Sequence, residues 1–299
     1  MINSKQNKNK SQEFTTAEPC QLLEFLLANI SGCSRNNIKS MLKYKQILVD
    51  GTPTTQYNYQ LKTGNIVTVD KAKSSREKKE DTLKIIYEDD DIIAIDKPSG
   101  LLTVATDKEH EVTAYRLVTD YVRKKKQRNR VFVLHRLDRD TSGVLLFTKT
   151  EDLKLALQNN WSKLVSTRGY IAIVEGKLKE KNGRIKSWLK QTKTLIMYSS
   201  DKPSDGLEAI TNYKVVKEGT NYSLIEVNLE TGRKNQIRVH MKDLGHSIAG
   251  DSKYGAKTNP VKRLALHANK LELTHPFSQK FMSFKCETPT NFMALFNRR

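Results

Sequence analysis

The chain has 299 residues, 37% of them hydrophobic, which is enough for a full catalytic core and one small appended domain. Lys and Arg outnumber Asp and Glu by 52 to 33, a formal charge of +19 whose field attracts polyanions, most commonly nucleic acid. Cys20, Cys33 and Cys286 are too few and too scattered for a disulfide framework or a Cys-based zinc site, no apolar run is long enough for a bilayer, and a cytoplasmic protein is expected.

Residues 1–14 are polar and Lys-rich, without the apolar centre of a secretory signal, and read as a disordered basic tail. Residues 15–70 read as one small module. Leu22, Leu23, Phe25, Leu26 and Leu27 predict a first helix, and Ile38, Met41 and Leu42 a second with Ser34 as its N-cap. Short strands follow at Gln46–Val49 and Asn65–Val69, with Asp50-Gly51 as a turn. Arg35, Lys39 and Lys43 recur every four residues, which sets them along one helical face as candidate RNA contacts, against the plain alternative of a solvated surface. The order Ser34-Arg35, Ile38-Lys39, Leu42, Ile47-Val49-Asp50-Gly51, Tyr59, Leu61 and Gly64-Asn65-Ile66-Val67 resembles the S-four-type RNA-binding domain, with Asn65 where that family often has Asp.

Residues 71–82, KAKSSREKKEDT, read as a solvated linker, and residues 83–299 as the larger domain. Strands are expected at Ile85–Tyr87, Ile92–Ile95, Val131–Leu134, Val144–Phe147, Tyr170–Val174 and Tyr222–Val227, with helices at Val112–Lys126 and Glu151–Leu164. No regular strand-helix alternation is present, so the fold class is α+β with a mostly antiparallel mixed sheet, preceded by the small α/β module. The basic run Arg123–Arg130, including Arg123, Lys124 and Lys125, is a second candidate RNA contact or else a charged loop.

A polar loop, His135-Arg136-Leu137-Asp138-Arg139-Asp140-Thr141-Ser142-Gly143, lies between the apolar runs VFVL and GVLLF, the setting in which a rigid scaffold carries chemistry. Asp138 and Asp140 alternate with arginines, which favours ionised carboxylates and opposes a bound cation. A carboxylate nucleophile fits better than a metal site, and no metal is expected. The six histidines lack ligand spacing, and the Gly232–Arg238 stretch lacks the Gly-Lys-Ser/Thr ending of a nucleotide loop, so no cofactor is expected.

HRLDRDTSG resembles the catalytic motif of the RluA/RluD-type family of RNA pseudouridine synthases. Tyr87–Leu102 resembles the family's opening motif, Leu229–Gly255 its long third motif, and Arg263–Ala268 with His275-Pro276 its closing pattern. Asn235 stands where the family carries His, and Arg168-Gly169-Tyr170 replaces Lys-x-Tyr. The resemblance implies Asp138 as the catalytic residue, attacking the sugar or the base or removing a sugar proton. It implies Arg238 as the partner that lowers the Asp138 pKa, and Tyr170 as the aromatic against the base, able to handle the released proton. It further implies that Arg136 fills the space left by a flipped-out uridine, that Leu266 forms part of the pocket wall, and that Gln236 and Ile237 bind substrate beside Arg238.

The expected protein is therefore a monomeric RNA pseudouridine synthase acting on ribosomal RNA, the large subunit first, with transfer RNA as the other target. A non-enzymatic RNA-binding or ribosome-assembly protein explains the charge and the first module but leaves HRLDRDTSG without a role. A metal-dependent nuclease using Asp138 and Asp140 is the third alternative.

Overall fold

The apolar residues that recur at helical spacing near the start of the chain are buried together: Leu22 and Leu26 on one helix, Ile38 and Leu42 on the next. The structure, a computed structural model, describes residues 11–43, 45–70, 83–105 and 112–296. It divides into two units between Thr82 and Leu83.

The first unit contains β1 (Gln12–Thr15), β2 (Cys20–Gln21), α1 (Leu22–Asn29), α2 (Arg35–Lys43), β3 (Ile47–Val49), β4 (Thr52–Pro53), β5 (Gln60–Leu61) and β6 (Ile66–Val69). A four-stranded sheet runs in the order β1-β6-β3-β4, and β2 pairs separately with β5. Ser34 caps α2, its Oγ accepting from the Asn37 N–H at 3.3 Å. The expected tail of residues 1–14 is too long. Its end forms β1, antiparallel to β6, because Phe14 has the module's core to pack against; residues 1–10 lie outside the described residues, as does the 71–82 linker. Asn65 has a specific reason to be an amide. Its Oδ1 accepts from the Lys62 N–H and its Nδ2 donates to Asp50 Oδ2 at 2.7 Å, so a carboxylate here would face a second carboxylate.

The second unit begins with β7 (Lys84–Glu88) and β8 (Ile92–Lys97), then α3 (Ala114–Lys125), β9 (Phe132–Val133), β10 (Ser142–Thr148), α4 (Glu151–Asn159) and α5 (Trp161–Leu164). There follow β11 (Val165–Glu175), β12 (Asn182–Gln191), β13 (Met197–Ser200), β14 (Leu207–Glu218), β15 (Tyr222–Leu229), α6 (Gln236–Asp243), β16 (Leu266–Thr274), β17 (Phe281–Lys285) and α7 (Thr290–Met293). The main sheet order is β13-β12-β14-β15-β11-β16-β10-β8-β7, with β17 added to β16 and β9 to β10. The expected 151–164 helix is two: Asn160, at φ −116° and ψ 24°, breaks it. The expected Val131–Leu134 strand shrinks to the two residues of β9.

Strand periodicity explains the unbroken apolar runs Ile92–Ile95 of β8 and Val144–Phe147 of β10. Ile92, Ala94, Val144 and Leu146 face one cluster, which Leu153 and Leu157 of α4 close. Ile93, Ile95, Leu145 and Phe147 face the other, closed by Ala114, Val118 and Val122 of α3. A third cluster joins β11 and β15 to Ile237 and Met241 of α6 and Phe292 of α7.

The sheet is antiparallel except where β10 meets β16 in parallel, at Ser142↔His267 and Gly143↔Ala268. Beyond that contact β16 diverges and pairs with β17 from Lys270 onward. Gly143, at φ +111°, is required there: a Cβ would lie 2.0 Å from the Ala268 carbonyl oxygen.

Two buried histidines predict acid sensitivity. The ring nitrogens of His240 lie 2.8 Å from Thr211 Oγ1 and 2.8 Å from Ser187 Oγ, and His267 Nδ1 lies 2.8 Å from Ser142 Oγ. Burial pulls both imidazoles from 6.5 down to about 4. A base depressed by folding stabilises the fold above 6.5, and that stability drains away as pH falls toward 4. Each histidine is expected to cost up to about 2 kcal/mol at pH 5 relative to pH 7. Melting temperatures across that range should fall. A flat profile, or one unchanged by His240→Gln, would contradict the assignment of neutral, buried rings.

Candidate active site

The loop between β9 and β10 is held in shape by the segment that follows β8. Lys97 is fully buried and its ammonium donates to three carbonyl oxygens, those of Pro98 (3.0 Å), Leu101 (2.7 Å) and Arg139 (2.9 Å). Gly100 N–H donates to the Arg139 carbonyl, and Ser99 Oγ to that of Asp140 at 2.7 Å. Thr103 Oγ1 donates to the Leu137 carbonyl and accepts the Leu137 N–H. Five hydrogen bonds thus pin residues 137–140 against 97–103, which orders an irregular loop more tightly than its own backbone could. Burial lowers the Lys97 ammonium to about 8, opposed first by Asp140 and then by Asp138. It stays mainly positive at neutral pH and adds positive potential beside Asp138.

Asp138 projects from this loop into a cleft of about 560 Å³, and into a smaller adjoining recess of about 100 Å³. Arg238 meets it with Nη1 3.6 Å from Oδ2, but the principal partner of that arginine is Asp251. Arg238 Nε and Nη2 donate to the two Asp251 oxygens at 2.7 Å each, while Nη1 also reaches Asn235 Oδ1 at 3.3 Å. The Tyr254 ring lies under the guanidinium at 4.9 Å, and Asn235 Nδ2 donates to the Tyr254 hydroxyl. Asn235 therefore does its work as an amide: in the left-handed conformation (φ 56°) just before α6, it ties Tyr254 and Arg238 together.

Arg238 acts on Asp138 in the expected, lowering direction, but burial outweighs it. Burial pushes the carboxyl above its ordinary range, and Arg238 and then Lys97 oppose that without overcoming it. The reason is geometric, since most of the hydrogen-bonding capacity of Arg238 is spent on Asp251.

Tyr170, on β11, lines both cavities, and burial raises its phenol to about 12, so it is a protonated hydroxyl at neutral pH rather than a ready base. Arg136 is exposed at the rim shared by cleft and recess. Leu266 and Ile237 line the recess. Gln236 lines it too, but its amide is committed: Nε2 donates to the Ile210 carbonyl and Thr211 Oγ1, and Oε1 accepts from Arg233 N–H and Thr231 Oγ1. It builds the wall and has no donor left to read a base.

The remaining candidates belong to other elements. Arg35 and Lys39 are exposed on α2 of the first unit, Lys39 over the Tyr57 ring at 5.3 Å, while the Lys43 side chain lies outside what is described. Arg123, Lys124 and Lys125 form the last turn of α3, where positive charge suits the helix C-terminus. Lys125 is engaged in an ion pair with Glu88 at 2.9 Å. Lys97, Thr103, Asp251 and Trp161, which shape the site, were given no role from sequence. Lys97 and Asp251 stand within the opening and third motifs, and the charged pair Asp96-Lys97 closing an apolar run was the available signal for Lys97. Among the described residues, no group of three or more His, Cys, Asp or Glu side chains is placed to hold a metal ion.

The model of the RNA pseudouridylate synthase family matches residues 91–243. An uncharacterised RNA pseudouridine synthase of Bacillus subtilis (strain 168), YhcT, is 31% identical over 280 residues, covering 92% of each chain. Ribosomal large subunit pseudouridine synthase D of Nitrosomonas europaea is 35% identical over 228 residues, 71% of this chain and 64% of that protein. The tRNA pseudouridine synthase C of Haemophilus ducreyi is 33% identical over 237 residues, 72% of this chain and 95% of that one. Among solved structures, human RNA pseudouridylate synthase domain containing 4 superposes with a TM-score of 0.59 at 22% identity, over 70% of this chain and 90% of that one.

Proposed function

Because the chain belongs to the RNA pseudouridylate synthase family and is an RNA pseudouridine synthase, we propose that it isomerises uridines of large-subunit ribosomal RNA with Asp138 as its nucleophile. The observation that carries the assignment of Asp138 is its position: a carboxylate on a braced loop, facing a recess between Arg238, Tyr170 and Leu266. The reaction breaks the bond from ribose C1′ to N1 of uracil and makes one from C1′ to C5, with the C5 proton passing to solvent or a neighbouring base and N1 taking up a proton in its turn. The detached base must turn without escaping, which suits a recess about the size of one ring. Each proposed first step, attack on sugar or base or removal of a sugar proton, needs an ionised carboxylate at this point.

A stacked uridine cannot reach that carboxylate, so it must be flipped out of its helix. Arg136, exposed at the rim, is the side chain suited to enter the vacated space, since a planar guanidinium stacks and donates hydrogen bonds there. Tyr170, protonated, covers one face of the base, and Leu266 and Ile237 supply apolar wall.

Large-subunit ribosomal RNA is favoured over transfer RNA by the first unit, read as an S-four-type RNA-binding module. Its exposed Arg35 and Lys39 would add a second contact to a large folded target through the linked chain. We further propose a cytoplasmic monomer that needs no cofactor; the three free cysteines support a reducing compartment.

Incubation with transcribed large-subunit ribosomal RNA and with transfer RNA, followed by mass spectrometry, tests the target. Pseudouridine only in the transfer RNA would overturn it, and none in either would point to a binder. Removing residues 1–70 is expected to weaken binding to the ribosomal fragment at least ten-fold and to reduce the salt dependence of that binding. Unchanged affinity and site choice would remove the role given to the first unit.

A further inference from the structure

The recess beside Asp138 accounts for one base, and the larger cleft opening from it is left over. Its outer part is walled by Trp161, His135 and Arg168, with Arg136 at the junction. Trp161 owes its position to the helix break at Asn160, which starts α5 and leaves the indole half-buried, one side on the core and the other in the cleft. The His135 ring lies 5.8 Å from it at 48°, and His135 Nε2 accepts the Leu146 N–H, so this imidazole is a fixed aromatic edge. Arg168 is anchored through Nη2 to the Glu230 carbonyl and brings a cation to the same wall.

An indole and guanidinium groups lining one cleft form the kind of arrangement by which proteins hold single-stranded nucleic acid: bases stack, and cations follow the phosphates. We propose that the outer cleft is a binding site for the base of an unpaired nucleotide adjoining the target uridine, stacked on Trp161 with its phosphate toward Arg136 and Arg168. The inference rests on the RNA-modifying reading above and extends it, because it gives the enzyme a preference for targets whose neighbour is also unstacked.

The chain has two tryptophans, so Trp188→Phe leaves Trp161 as the sole indole reporter. The probes are a five-residue oligouridylate and a strand of equal length in which every residue but the central uridine is abasic. The oligouridylate should quench Trp161 emission on binding, and the abasic strand should quench it far less. Trp161→Leu, which keeps apolar packing but has no aromatic face, should weaken oligouridylate binding about ten-fold or more while leaving the abasic strand unchanged, and Trp161→Phe should recover most of the loss. Equal quenching by the two strands, or unaltered binding by Trp161→Leu, overturns the proposal. If Trp161→Leu fails to fold, the quenching comparison in the Trp188→Phe protein decides alone. A protein that stacks oligouridylate but makes no pseudouridine in any RNA refutes the proposed reaction and leaves the stacking site standing.

Discussion

Asp138→Asn is expected to abolish pseudouridine formation, below detection by mass spectrometry, while the protein melts no lower than wild type at neutral pH. The two halves of this result have separate causes. Turnover is lost because an amide has neither the charge nor the basicity that any of the first steps demands. Stability is kept because the Asp138 carboxyl is raised by folding. A group raised in the folded state contributes its stability when protonated, below its unfolded value, and loses it as pH climbs through the folded value. The ionised side chain is therefore a burden that the amide relieves. Arg238 does not become an orphan, since both Asp251 bonds remain. The same shift sets the acid limb of the wild-type activity profile above the ordinary aspartate range. Near-normal product from Asp138→Asn, with reversion of the amide to Asp excluded on the intact protein, would end the role of Asp138; a lowered melting temperature would show that its charge is a stabilising partner.

Arg238→Met should behave differently, losing both activity and stability. Asp251 is buried, its side chain 1% exposed, and Arg238 satisfies both its oxygens. Removing the guanidinium strands a carboxylate in the interior, which costs about 3–5 kcal/mol. In a domain of roughly 200 residues that corresponds to about 6–20 °C in melting temperature. The double variant Arg238→Met with Asp251→Leu should regain much of the stability, because the stranded charge is gone, and none of the activity. Equal melting temperatures for Arg238→Met and wild type would mean that the Arg238–Asp251 pair is not the brace described here.

The contrast between these two variants also marks where sequence reading ended. The pairing of Asp138 with Arg238 was reachable through motif resemblance, whereas the competing claim of Asp251 on the same guanidinium was not. Residues 13 apart, joined through a helix and a turn, carry no local pattern that announces a bidentate contact. Helix α6 was missed for a related reason. Gln236, Arg238 and His240 are polar yet buried, each held by specific partners, so they mask the short stripe of Ile237 and Met241. The strand β12 was missed because Arg184, Lys186 and Lys190 are exposed along it and dilute the apolar signal.

What the sequence determined by itself is what depends on near neighbours: the helices of the first unit, the doubly buried strands β8 and β10 with their unbroken apolar runs, and the nine-residue loop whose arginines and carboxylates mark a reactive site. Tertiary structure alone decided the electrostatics of that loop. Whether a carboxylate is raised or lowered depends on how much water it loses and on how its nearest cation is shared, and both are set by segments that meet only when the sheet closes.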